Sequence, residues 1–249
     1  MDTSVKTVHY LGSKVRMLSP IKRYIDELTH GNGRICDLFC GSGVVSEYLL
    51  QQYDVLAVDI QNYSKVYCEA RLLGLPKDFD YKGIIARIKE SETRRTNLIV
   101  YKPILVYEDE CRGSLLSGEL EPIYEVIEKG SLYAYLNNLP YSETDLSPSL
   151  EKAFAMVKDT GGIDLQSLDS IITRYYGGLY FSFKQAIDID AISSYAFAQN
   201  ERVKNAMLAA LMGATTDVVN TIGKQFAQPL KVRNKDGSLK KNLAKKNLV

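Results

Sequence analysis

The sequence predicts an α/β fold of the doubly wound kind, with parallel strands, an incomplete sheet and a helical appended region. Three observations predict it. A short apolar run, Arg34 to Phe39, leads into the turn Gly41-Ser42-Gly43 and then a helical stretch, Val44 to Gln52. A second apolar run, Val55 to Val58, follows and ends at Asp59, which completes a βαβ unit. The last third reads as helical, with apolar residues at helical spacing in Ser182 to Tyr195 and an Ala-, Leu- and Met-rich run from Arg202 to Val219 interrupted by Gly213.

The remaining elements follow from local signals. Residues 18–28 predict a helix: Leu18, Ile21, Ile25 and Leu28 recur at helical spacing, Ser19 suits the cap and Pro20 the first helical position. His30-Gly31-Asn32-Gly33 ends it. Lys65 to Leu75 reads as helical, with Gly74 and Pro76 as stop signals. Ser182 and Gln185 stand at the spacing of a capping box. Leu98-Ile99-Val100-Tyr101 and Ile104-Leu105-Val106-Tyr107 read as two strands around Pro103, and the acid-rich stretch from Glu108 to Asp169 as an inserted helical module or loop region. The organisation expected is therefore 1–79 as the βαβ region, 80–170 as an insertion, 171–232 as a helical region and 233–249 as a basic tail.

Apolar residues at 45% and charged residues at 24% predict a globular protein. No apolar run reaches membrane-spanning length, and Met-Asp-Thr-Ser-Val-Lys lacks a signal-peptide core, so the expected location is cytoplasmic. Cys36, Cys40, Cys68 and Cys111 form no CxxC pair and only two histidines occur, so no metal site is expected; buried, reduced thiols are. The net charge of +1 is uneven: residues 224–249 carry eight Lys/Arg and one acid. Such a segment binds phosphates by counterion release or stands as a solvated end.

The chemistry centres on Asp37-Leu38-Phe39-Cys40-Gly41-Ser42-Gly43. Gly41 and Gly43 let a ligand approach the backbone, and the helix that follows presents free N–H groups. Asp37 at the strand end can accept from an ammonium group. Asp59, sixteen residues after Gly43, stands where nucleotide-binding βαβ units place an acid on ribose hydroxyls, and Ile60 can pack on a base. Glycine turn and strand-end acid together point to an adenosine-containing cofactor; the bland alternative is a structural turn beside a solvated acid.

With Tyr10-Leu11-Gly12-Ser13-Lys14 added, this opening resembles that of Dam-like DNA adenine-N6 methyltransferases (alpha motif order), in the cofactor-binding part only. The resemblance implies a Rossmann-like S-adenosylmethionine-dependent methyltransferase fold. It also implies that Tyr10 and Lys14 line the S-adenosyl-L-methionine site, with Phe39, Gly41 and Gly43 forming its glycine loop and Asp59 on the ribose. Two further stretches look like the same family: Tyr175-Tyr176-Gly177-Gly178-Leu179-Tyr180-Phe181-Ser182-Phe183-Lys184-Gln185-Ala186 with Ile189 to Ile192, and Ala209 to Gly223 continuing to Pro229-Leu230-Lys231. Arg174, Tyr180, Lys184, Lys231 and Arg233 are the expected contacts to double-stranded DNA.

Family members receive a flipped adenine on a (Asp/Asn/Ser)-Pro-Pro-(Tyr/Phe) motif. No Pro-Pro occurs in this sequence; the nearest string is Asn138-Leu139-Pro140-Tyr141, which precedes the segments it would have to follow. No catalytic residue is therefore assigned. The favoured expectation is a split enzyme, active with a second subunit that carries the motif; a fragment or a degenerate remnant also fits. A non-catalytic DNA- or partner-binding module is the alternative function. A cytosine-C5 enzyme is disfavoured because no Pro-Cys nucleophile exists, whereas an RNA target stays open.

Overall fold

A computed structural model describes residues 14–75, 79–139, 145–164, 166–221 and 230–240. The elements in chain order are α1 (Leu18–Thr29), β1 (Arg34–Asp37), α2 (Val44–Leu49), β2 (Asp54–Ala57), α3 (Asn62–Leu73), α4 (Tyr81–Lys89), α5 (Glu92–Val100), α6 (Lys102–Leu116), α7 (Glu121–Lys129), α8 (Leu132–Leu136), α9 (Pro148–Asp159), α10 (Ile171–Tyr176), α11 (Phe183–Phe197) and α12 (Glu201–Val218). The described chain is mostly helical, with one two-stranded parallel sheet. It divides into two compact units, residues 1–80 with 196–216, and residues 81–195 with 217–249.

In the first unit β1 and β2 pair in parallel with Arg34 opposite Asp54, Ile35 opposite Val55, Cys36 opposite Leu56 and Asp37 opposite Ala57. The helix between them makes this the expected βαβ unit. On one face lie the exposed Arg34–Asp54 ion pair and, beside it, Cys36 and Leu56. Cys36 was expected to be buried with the other thiols; it is exposed, because no described element covers that face. On α3, Tyr67 and Ala70 pack with Ala209 of α12 in a small apolar cluster. Arg202 donates to the carbonyls of Gly74 and Leu73 at the end of α3, which satisfies acceptors that a helix leaves open. Gly213 lies inside α12 without interrupting it. The start of α1 differs from expectation: a 3₁₀ turn, Lys14–Met17, runs into it, so Ser19 lies within the helix and caps nothing. Leu28, on the predicted apolar stripe, is 82% exposed.

The second unit holds the main core. Tyr101, Ile104, Tyr124, Leu132, Leu150, Phe154, Phe183 and Ile187 are buried together where α6 packs against α7 and α9. Each such side chain contributes about 1.5–3 kcal/mol of apolar transfer. The two strands expected around Pro103 are helices α5 and α6 instead. Ser91 caps α5 by accepting the N–H of Arg94, and Pro103 sits in the first turn of α6, where its missing N–H costs nothing. The burial pattern is helical: Asn97, Val100, Tyr101, Ile104, Tyr107, Glu108 and Cys111 are buried, while Ile99 and Val106 are exposed. The expected tail also begins as ordered chain: Val232 is buried, Arg233 bridges Leu239, and Tyr124 donates to the Lys240 carbonyl.

Two buried carboxylates fasten α10 and α11. Glu108 accepts the N–H of Phe183 at 2.9 Å and of Lys184 at 3.4 Å, at the start of α11. Asp190, inside α11, accepts the N–H of Ile172 and both the N–H and hydroxyl of Thr173, at the start of α10. The capping box is present: Ser182 N–H donates to Gln185 Oε1, and Gln185 N–H to Ser182 Oγ. Glu108→Ala, which orphans the first N–H groups of α11, should cost about 2–4 kcal/mol in urea unfolding. Burial pushes the Asp190 carboxyl up to about 6, against the pull of its Thr173 and Ile172 donors. The folded state then binds more protons than the unfolded chain between about pH 4 and pH 6, so this group's contribution to stability is greatest below pH 4 and falls by about 3 kcal/mol as pH rises through 6. The difference in unfolding free energy between wild type and Asp190→Asn, followed from pH 4 to 7, should show that fall.

Candidate cofactor site

The parallel register delivers two carboxylates to the same end of the sheet. Asp37 closes β1, and Asp59 follows β2 by two residues. The ladder continues past the strands: Val58 N–H donates to the Asp37 carbonyl at 2.8 Å, and Cys40 N–H to the Val58 carbonyl at 3.1 Å. The chain from Leu38 to Gly43 is thus held against the end of β2 before it turns into α2.

Side chains then clamp this loop at both ends. Asp59 Oδ2 accepts the N–H of Gly41 at 2.9 Å, and Oδ1 accepts the N–H of Gln61 at 3.0 Å. These donors, Gln61 first and Gly41 next, hold the Asp59 carboxyl below its usual range. At the other end, Ser46 Oγ donates to Asp37 Oδ2 at 2.8 Å. Ser46, in the first turn of α2, was not singled out from sequence; a lone serine three residues after the glycine turn carries no distinguishing signal.

The two glycines do different work. Gly41 has φ +52, and a Cβ there would meet nothing within 4 Å, so its surface is open to a ligand. Gly43 has φ +76, and a Cβ would stand 2.9 Å from Cys68 Sγ and 3.5 Å from Cys68 Cα. Its bareness serves the packing of the loop on α3. Beneath the loop the Cys40 and Cys68 sulfurs are 3.4 Å apart. Burial raises both thiols, Cys68 to about 12, so they are neutral packing groups at pH 7. Arg71 of α3, with a nearly buried side chain, pairs with Glu47 in the first turn of α2.

Around the loop, Phe39 is 80% and Ile60 95% exposed, two large apolar side chains beside the two strand-end acids. Lys14 is exposed on a turn that packs against α2. Tyr10 lies outside the described residues. The structure therefore brings Asp37, Phe39, Gly41, Gly43, Asp59 and Ile60 together around one loop, with the turn that bears Lys14 beside α2.

The residues expected at DNA all belong to the second unit, in different surroundings. Arg174 is 3% exposed and donates to the carbonyls of Ser170 and Ser167. Its guanidinium supports the turn before α10 from inside. Arg233 is paired with Glu121 and Glu128. Tyr180 is half-buried edge-on against Tyr176, Lys184 is half-buried, and Lys231 is exposed. Pro140 and Tyr141 lie outside the described residues.

The glycine geometry makes a prediction. Gly43→Ala adds a left-handed strain of about 1–2 kcal/mol to the clash with Cys68, whereas Gly41→Ala adds only the strain. Urea titration should therefore show Gly43→Ala to be the more destabilised by about 1–3 kcal/mol.

Comparison with known proteins finds similarity over the part of the chain that bears this loop. The sequence model of a family described as D12 class N6 adenine-specific DNA methyltransferase matches residues 10–99. Modification methylase LlaI of Lactococcus lactis subsp. lactis is 37% identical over 70 residues, 28% of this chain and 11% of that protein. Modification methylase StsI of Streptococcus sanguinis is 34% identical over 101 residues, 40% of this chain and 16% of that protein. The matched stretches thus span less than a fifth of either relative. No solved structure matches the chain. Over residues 10–99, the chain is similar to the D12 class N6 adenine-specific DNA methyltransferases.

Proposed function

We propose that this chain is the S-adenosyl-L-methionine-binding part of a site-specific DNA adenine-N6 methyltransferase. One observation carries the reading: an open glycine loop clamped between two strand-end carboxylates, with two exposed apolar side chains beside it. These residues fit the cofactor. Asp37 suits an ammonium, the open backbone at Gly41 admits close approach, and Phe39 and Ile60 offer apolar surface for a purine. Asp59 has two of its roughly four lone-pair sites taken by backbone N–H groups, which leaves capacity for a ribose hydroxyl. The bound cofactor supplies the electrophilic methyl group; the chain's own residues bind and orient it.

In this reading residues 1–79 are the cofactor-binding region of a Rossmann-like sheet, 80–170 an insertion, and 171–232 a DNA-recognition or sheet-packing region. Lys231, Lys184 and Tyr180 are the candidates for double-stranded DNA, joined by the basic residues of 233–249. No Pro-Pro occurs in the 249 residues; in this reading the catalytic motif is supplied by other sequence, with a second subunit as the favoured source and a longer form of the same polypeptide as the other. The sheet face that bears the Arg34–Asp54 pair, Cys36 and Leu56 is covered by no described element, which is consistent with a further polypeptide, because parallel sheets are ordinarily covered on both faces. The assembly is a cytoplasmic heterodimer serving as a modification methylase.

Calorimetry with S-adenosyl-L-methionine should detect binding to the purified chain or to its complex with a polypeptide carrying the Pro-Pro motif. Labelled methyl transfer to adenine-containing duplex should occur only with that polypeptide present. Absence of cofactor binding in both preparations overturns the reading. Binding without transfer in either preparation supports a non-catalytic module instead.

A further inference from the structure

We infer that Ser46 is a positioning residue: its hydroxyl fixes the Asp37 carboxylate to receive the ammonium of the ligand's amino-acid moiety. The inference rests on the proposed cofactor site and adds to it the group that makes that site selective for a charged amino acid.

Ser46 is fully buried, and its hydroxyl lies 2.8 Å from Asp37 Oδ2. A serine in a first helical turn ordinarily bonds to nearby backbone. Here it reaches across the glycine loop to the end of the preceding strand. The Asp37 main chain is already fixed, because its carbonyl accepts the Val58 N–H. What remains free is rotation of the carboxylate, and the Ser46 hydrogen bond removes that freedom by engaging one oxygen. The bond is charge-assisted and correspondingly directional.

An ionised carboxylate has roughly four acceptor sites. With Oδ2 bonded to Ser46, Oδ1 is the oxygen left for a donor arriving above the loop. A carboxylate held in this way does not have to be ordered when the ligand binds, which is the physical meaning of preorganisation. Without the hydroxyl, Asp37 can turn toward water, and the discrimination in favour of an ammonium declines. Ser46 touches no ligand in this account; it acts through Asp37.

The same bond could serve only to tie α2 to β1. Two ligands separate these roles: S-adenosylhomocysteine, and its desamino analogue, which lacks only the ammonium. Kd for both is measured by calorimetry on wild type, Ser46→Ala and Ser46→Thr. Wild type should prefer the amino form by about tenfold or more, Ser46→Ala should lose most of that preference with the desamino Kd changed by less than about threefold, and Ser46→Thr should retain it. If Ser46→Ala does not fold, Ser46→Cys, which keeps the volume and weakens the donor, gives the same reading. A preference unchanged in the variant, or an equal loss for both ligands, overturns the positioning role. If wild type binds neither ligand, alone or in complex with a polypeptide carrying the Pro-Pro motif, the cofactor reading itself has failed, which is a separate result.

Discussion

The parallel pairing of β1 with β2 is the constraint on which the candidate site depends. Because the strands run in the same direction, their carboxyl ends open on one side, and Asp37 and Asp59 arrive there together. The register fixes the rest. With Asp37 opposite Ala57, the Val58 N–H meets the Asp37 carbonyl and the Cys40 N–H meets the Val58 carbonyl. A slip of one residue would reverse which side chains face the covered side and would carry Asp59 away from Gly41. The rule that ligands of open α/β sheets bind beyond the carboxyl ends of the strands has this geometric origin.

The second unit solves a different problem. Its Tyr-Tyr-Gly-Gly segment ends α10 and opens the loop to α11, and the first N–H groups of both helices point into protein. Glu108 and Asp190 accept those donors, so each helix start is satisfied by a carboxylate that burial would otherwise exclude. Asp190 lies on α11 and serves α10, so the two helices and the loop between them are one hydrogen-bonded assembly.

What could be read in the sequence was what is local. The glycine loop and the Ser182–Gln185 box lie within a few residues of the backbone they serve, and the acid after β2, which reaches back eighteen residues to Gly41, stands at the recognisable spacing of a βαβ unit. Helices α5 and α6 were obscured because two four-residue apolar runs look like strands when read alone. Their helical period shows only across Asn97 to Cys111 taken as one window. The caps from Glu108 and Asp190 join groups seventy-five and about seventeen residues apart, and no pattern in the chain marks them. Burial of a particular side chain is likewise a property of what packs over it. Arg174 had every sequence feature of a surface cation, yet it lies inside against two carbonyls. Cys36 had the neighbours of a core thiol, yet it stands on an open strand face.

That open thiol has a practical corollary. Alkylation requires thiolate and access. Cys68 and Cys111 are buried and raised to about 12 and about 11, and Cys40 is raised as well. A maleimide dye applied near neutral pH will therefore settle on a single sulfur, Cys36, on the strand surface that no described element covers. The protein carries its own reporter there, and any chain that comes to lie over that surface will announce itself by dimming or shielding the label.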